Sequence, residues 1–156
     1  MRALTVFCAI GTGLMAGVFL AFSTFVIPAL RRISPPAGSA AMQSINRQAP
    51  ASPLFMLALV GTAAACVVLG VLAVLRWGSA ASTLALVGAV LAVAPLAITA
   101  AYHVPHNDAF GLLDPAGAGI AGEWRHYLSG WAPWNHVRTV TGLAGAALLT
   151  LSALAT

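Results

Sequence analysis

Apolar residues along this chain gather in four continuous runs, at residues 4–30, 53–75, 80–102 and 133–154. A helix needs roughly 20 apolar residues to cross a bilayer, so each run is long enough to span. The first follows Arg2 and stops at Arg31 and Arg32, which belong at headgroup level. It continues through Phe22, Phe25 and Ile27 with no small-residue cleavage site before polar sequence, so it is expected to stay in the mature chain rather than leave as a signal peptide. The second opens on Pro53, a residue suited to a first helical turn, and closes on Arg76 and Trp77. Gly78-Ser79 predicts a tight turn into the third, which carries Pro95 in its middle and should bend there. The fourth, opening on Pro133, would be about 33 Å long.

The resulting expectation is an all-α integral membrane four-helix bundle, a single membrane domain over residues 1–156. Both termini fall on one side, and two longer connections, 31–52 and 103–132, fall on the other. In the first connection, residues 40–48 can form a short interfacial helix with Met42 and Ile45 on one face and Gln43, Ser44 and Arg47 on the other. The second is expected to be a structured connection, running from His103 past Asp114-Pro115 and re-entering through Trp124, Tyr127, Trp131 and Trp134.

Composition agrees with the pattern: 60% of residues are hydrophobic, 6% are charged, and mean hydropathy is +0.94. The seven basic residues are all Arg, and against three acids they give a net charge of +4. They are scattered singly or as one pair, so no basic patch dense enough for nucleic acid exists. Arg31, Arg32, Arg47, Arg125 and Arg138 lie on or beside the long connections, against Arg2 and Arg76 on the other side. This bias places those connections in the cytoplasm, unless some of these Arg serve a site, and the chain is expected to be a multi-pass protein of the plasma (inner) membrane.

Small residues indicate how the helices meet, because close backbone approach drives association in lipid. Gly13 and Gly17 form a GxxxG in the first span, and Gly142, Gly145 and Ala146 are similarly spaced in the fourth. The Gly13/Gly17 pair can pack inside the bundle or join protomers into a homo-oligomer. Cys8 and Cys66 lie within spans and read as buried, inert thiols. Gly117, Gly119 and Gly122 match the dinucleotide fingerprint, but no strand precedes them, and they read as a flexible turn.

Charge-bearing chemistry is concentrated. All four His, all three acids and three of four Trp lie between His103 and Arg138. Asn135, Thr139, Gly142 and Ala146 form a polar and small stripe suited to a bundle interior, with Arg138 nearby. An ionisable residue inside a span is costly and is retained mostly for a site; the alternative is an Arg138 that snorkels outward over Trp134. His103 and His106 share a helical face beside Asn107, and His136 enters at the same membrane level, so a Cu, Fe or haem site is one reading and interfacial hydrogen bonding the other. His126 belongs with the latter. Trp124, Tyr127, Trp131 and Trp134 either wall a flat aromatic pocket or form an interfacial belt.

Several segments resemble the anthrone oxygenase-like family of small four-span membrane proteins, most of whose bacterial members are known only as a domain of unknown function. The likeness covers nearly the whole chain. Gly13-Leu14-Met15-Ala16-Gly17-Val18-Phe19 with Ala21-Phe22-Ser23 is similar to the family's opening motif, and Met42-Gln43-Ser44-Ile45-Asn46 to its Met-Gln-x-Ile-Asn segment. Trp131-Ala132-Pro133-Trp134-Asn135-His136-Val137-Arg138-Thr139 is similar to its Trp-x-x-Trp-Asn-His-x-Arg-Thr signature. One departure stands out: the family's Asn-x-Pro-x-Asn is here His103-Val104-Pro105-His106-Asn107. A metal site built on His103 and His106 would therefore be peculiar to a subgroup.

The resemblance implies oxidation of a tricyclic anthrone to an anthraquinone by molecular oxygen, with no cofactor required. Deprotonating the carbon between two aromatic rings yields an electron-rich anion able to reduce oxygen itself. On this reading His136 is the base, and Arg138 with Asn135 stabilises the oxyanion. Trp131 and Trp134 stack on the flat substrate, with Trp124 and Tyr127 beside them, while Asn107, Asn46 and Gln43 close the mouth. It predicts a dry pocket for a hydrophobic aromatic molecule and O2 at the level of His136, open sideways to the lipid bilayer. Two other classes are a redox protein whose metal or haem is held by His103, His106 and His136, and a non-enzymatic scaffold or small-solute carrier.

Overall fold

A computed structural model describes residues 1–155, and all regular structure among them is helical. Four helices are long and apolar enough to span a membrane: α1 (Arg2–Leu30), α3 (Pro53–Leu75), α4 (Ala80–Gly111) and α5 (Ile120–Leu154). Between the first two lies α2 (Pro35–Ala51). Each long helix packs against its neighbours in sequence and α5 returns to α1, closing an up-down-up-down bundle. Its outer face carries Phe7, Ile10, Leu14, Val71 and Leu75, the exposed apolar surface that lipid requires.

The interior is graded. Toward the termini it is built of small residues, with Cys8, Cys66, Ala73, Ala85, Ala89 and Ala92 around Leu69 and Leu149. Both cysteines are buried and free. Here α4 and α5 approach closely: a Cβ on Gly145 would lie 3.0 Å from the backbone nitrogen of Ala92 and 3.1 Å from the carbonyl of Gly88. One on Gly142 would lie 3.0 Å from Ala16 Cβ. Gly13 meets Ala146 only at ordinary contact distance, and Gly17 is exposed with nothing near it. Close approach between spans therefore falls at Gly11 against Thr62, Gly88 against Leu149, and Gly142 and Gly145, and not at Gly13 or Gly17. Toward the long connections the core becomes aromatic, with Phe110, Trp124, Tyr127 and Trp131 around Met42 and Ile27.

The connection expected over residues 103–132 is mostly helix. α4 continues to Gly111 and α5 begins at Ile120, leaving only residues 112–119 as a loop. Pro105 does not end α4, because a π-turn over Thr99–His103 precedes it and places it in the first turn of the segment that follows. Ahead of Pro133, Ile120, Trp124, Tyr127, Leu128 and Trp131 recur at helical spacing and are all buried, so packing carries α5 through that proline. At 35 residues α5 is about 52 Å long, well beyond a hydrocarbon core of roughly 30 Å, so its first turns stand in the headgroup region.

The interfacial helix extends beyond residues 40–48 at both ends, and Gln43, assigned above to its polar face, is buried. Its Nε2 donates to the carbonyls of Phe110 and Leu113, both at 2.9 Å. The end of a helix leaves carbonyls unsatisfied, and Gln43 supplies donors to that end of α4.

Candidate functional site

Around the junction of α2 with the bundle, the first turns of α3 and the last turns of α4 border a half-open cavity of about 810 Å³. Most of its wall is apolar, including Phe19, Phe22, Phe55, Met56, Leu59 and Leu96. Three π-turns meet at this level: Phe22–Val26 in α1, Leu57–Gly61 in α3 and Thr99–His103 in α4. Each contributes wall residues, namely Phe22, Leu59, and Thr99 with His103. A π-turn inserts one extra residue per turn and re-aims the side chains after it, which is why such turns recur at functional sites.

Arg138 is the cation of this wall and is only 6% exposed. Its Nη1 donates to Thr99 Oγ1 at 3.0 Å and its Nη2 to Asn135 Oδ1 at 2.7 Å. Both acceptors are neutral, and no acid pairs with it among the described residues. Nε has no partner. The guanidinium lies over the rings of Phe19 (4.5 Å) and Trp131 (5.4 Å), whose faces offset part of the missing counter-charge. Five donors, two of them used, and a buried positive charge without an anion leave this group open to an anionic ligand.

Asn135 stands behind it. Its Nδ2 donates to the carbonyl of Phe19 (2.9 Å) and to Ser23 Oγ (2.7 Å), which fixes the amide with Oδ1 toward Arg138. Ser23 in turn contacts Thr139 Oγ1 at 3.2 Å and His136 Nδ1 at 2.9 Å. His136 itself is exposed and is not part of the cavity wall. It reaches Arg138 only through Ser23 and Asn135.

The imidazole in the wall is His103, 1% exposed, its ring edge-on to Trp131 at 5.1 Å. Its Nε2 lies 3.4 Å from the Trp131 carbonyl. A carbonyl only accepts, so this contact calls for a hydrogen on Nε2, while Nδ1 is fully buried on the side of the Ile98 backbone. His106 is sandwiched between Tyr102 (5.1 Å) and Tyr127 (5.0 Å), with Nε2 3.3 Å from the Tyr127 carbonyl. His103, His106 and His136 thus face three different partners. No group of three or more His, Cys, Asp or Glu able to hold a metal ion occurs among the described residues.

At the mouth, Asn46 and Asn107 line the cavity and are tied together by Tyr127, whose hydroxyl donates to Asn107 Oδ1 (2.7 Å) and accepts from Asn46 Nδ2 (3.1 Å). Of the four aromatic residues expected to wall a pocket, Trp131 does so. Trp124 and Tyr127 are buried beneath α2, and Trp134 is 43% exposed against Tyr102. Thr99 and the apolar wall carried no mark in the sequence, although Thr99 lies one turn before His103 on the same helix face.

A family model described as Anthrone oxygenase matches residues 53–148, a stretch that holds Thr99, His103, Asn107, Trp131, Asn135 and Arg138. No curated protein and no solved structure gives a significant match.

Proposed function

The chain belongs to the anthrone oxygenase family, and on that premise we propose that it oxidises a hydrophobic polycyclic phenolic substrate with molecular oxygen inside the cavity beside Arg138. One observation carries this reading: a largely apolar cavity of about 810 Å³ whose wall holds a buried arginine with no acid paired to it among the described residues. A flat ring system fits the apolar wall, and its ionised oxygen supplies the missing anion.

His103, the imidazole of the wall, takes a proton from the methylene between the aromatic rings, and Arg138 stabilises the enolate oxygen that forms. The carbanion reduces O2; the methylene carbon loses two hydrogens and gains one oxygen as a carbonyl, and the other oxygen leaves as water. The anion is itself the reductant, so the chemistry requires no bound metal or haem. Asn135 and Thr99 hold the guanidinium, Trp131 offers an aromatic edge to the substrate, and Asn46 with Asn107 borders the mouth. His136, assigned above to proton abstraction, is given a supporting place behind Ser23 instead.

The test is aerobic turnover of an anthrone by protein purified in mild detergent, followed by anthraquinone absorbance and oxygen uptake, with metal analysis of the same sample. Oxidation well above the uncatalysed rate, lost in Arg138→Gln and unaffected by chelator, is expected. A rate equal to that of empty detergent micelles would overturn the assignment.

A further inference from the structure

Along the cavity, α4 presents Leu96, Thr99, Ala100, His103, Val104, Asn107 and Asp108, a continuous stripe at three- and four-residue spacing. Arg138 is bonded to Thr99 near one end of this rail, and Asp108 stands at the other. Thr99 and Asp108 are nine positions apart, roughly 13 Å along the helix. Among the described residues, Asp108 is the only acid in the cavity wall, as Arg138 is the only arginine. It is exposed, and it makes neither a hydrogen bond nor an ion pair among the described residues. One wall therefore carries two charges of opposite sign, neither in an ion pair among the described residues, set apart along one helix, an arrangement that reads both ends of a rigid ligand.

We propose that Asp108 is a specificity-determining residue at the cavity mouth, selecting ligands that carry an anionic oxygen at one end and a hydrogen-bond donor at the other. This rests on the reading of the cavity as the substrate site. A hydroxyl at the outer end donates to the Asp108 carboxylate, whereas a second acid placed there meets a like charge and is rejected. The same pair sets direction: the anionic end goes in first, to Arg138, because the reverse orientation puts like charges together.

Three flat tricyclic probes separate the possibilities: anthraquinone-2-carboxylate, 6-hydroxyanthraquinone-2-carboxylate and anthraquinone-2,6-dicarboxylate. Their affinities for the full chain in detergent are read by quenching of tryptophan fluorescence. The wild type should bind the hydroxy acid several-fold more tightly than the mono-acid, and the diacid about tenfold more weakly. In Asp108→Asn the diacid should rise to the level of the mono-acid, with the mono-acid itself unchanged. In Asp108→Lys the diacid should become the tightest of the three. Arg138→Gln should weaken every probe. Probes that need Arg138 but are ranked identically by the wild type and both Asp108 variants would overturn the role of Asp108 alone. Failure of all three to bind the wild type would overturn the reading of the cavity and this role with it.

Discussion

Arg138 and Asn135 sit three residues apart on α5 and are joined at 2.7 Å, guanidinium to amide oxygen, so a buried cation is held by a neutral partner where an acid would have cancelled its charge. An internal ion pair would have been occupied before any ligand arrived. An amide holds the geometry and leaves the charge available.

Replacing Arg138 by Met should separate activity from stability. The variant removes the oxyanion partner and should lose about 100-fold or more in kcat/KM for anthrone oxidation. Its thermal midpoint should stay close to that of the wild type, because relief of an uncompensated buried charge offsets the two lost hydrogen bonds. A large fall in both, seen by turnover and thermal unfolding on one preparation, would make Arg138 a structural residue.

The two histidines nearest the site should behave differently. His103 borders the cavity, and His103→Ala should cost about 100-fold or more in turnover. His136 lies outside the cavity wall and is hydrogen-bonded to Ser23, so His136→Ala should lose far less. The reverse order in a side-by-side assay would return the base to the exposed face of α5.

Packing between the spans is tested at two glycines. Gly145→Ala sets a methyl against the backbone of Ala92 and Gly88 and should destabilise the bundle by about 1–3 kcal/mol. Gly17 has open space around it, and Gly17→Ala should be neutral or slightly stabilising. Denaturant unfolding in detergent measures both; equal losses would show that Gly17 is covered in the protein as it exists, by a second copy.

Tyr127 is the joint between α2, α4 and α5. Tyr127→Phe keeps the ring stacked on Phe110 at 4.0 Å but removes the bonds to Asn46 and Asn107. A loss of about 2 kcal/mol is expected, with faster hydrogen exchange concentrated in α2. Unchanged exchange there would mean that Gln43 alone holds the helix down.

Much of this was legible along the chain. Four apolar runs bounded by Arg2, Arg31, Arg32 and Arg76 were sufficient for the spans. Asn135 and Thr139 could be recognised as an inward-facing stripe because helical spacing alone sets which side chains share a face, whereas spacing left Arg138 open between a site and an outward snorkel over Trp134. The extent of α4 and α5 was less legible, since Pro105 and Pro133 read locally as helix boundaries. Buried contacts at Phe110, Trp124 and Trp131 overrode that signal. The family resemblance grouped His136 with Arg138, but two residues apart on a helix means roughly opposite faces, and His136 looks away from the cavity.

The sequence by itself determined the class of the molecule, its membrane habit and the end of the bundle where polar chemistry gathers, because hydrophobic length and helical period are properties of a single strand of residues. Only the tertiary structure decided which polar groups share a space. Three π-turns, invisible to any regular period, bring Phe22, Leu59, Thr99 and His103 from three helices around one cavity. The charge of Arg138 matters for the same reason: whether an acid lies within reach of a buried cation depends on how α1, α4 and α5 are packed together, and no linear spacing records it.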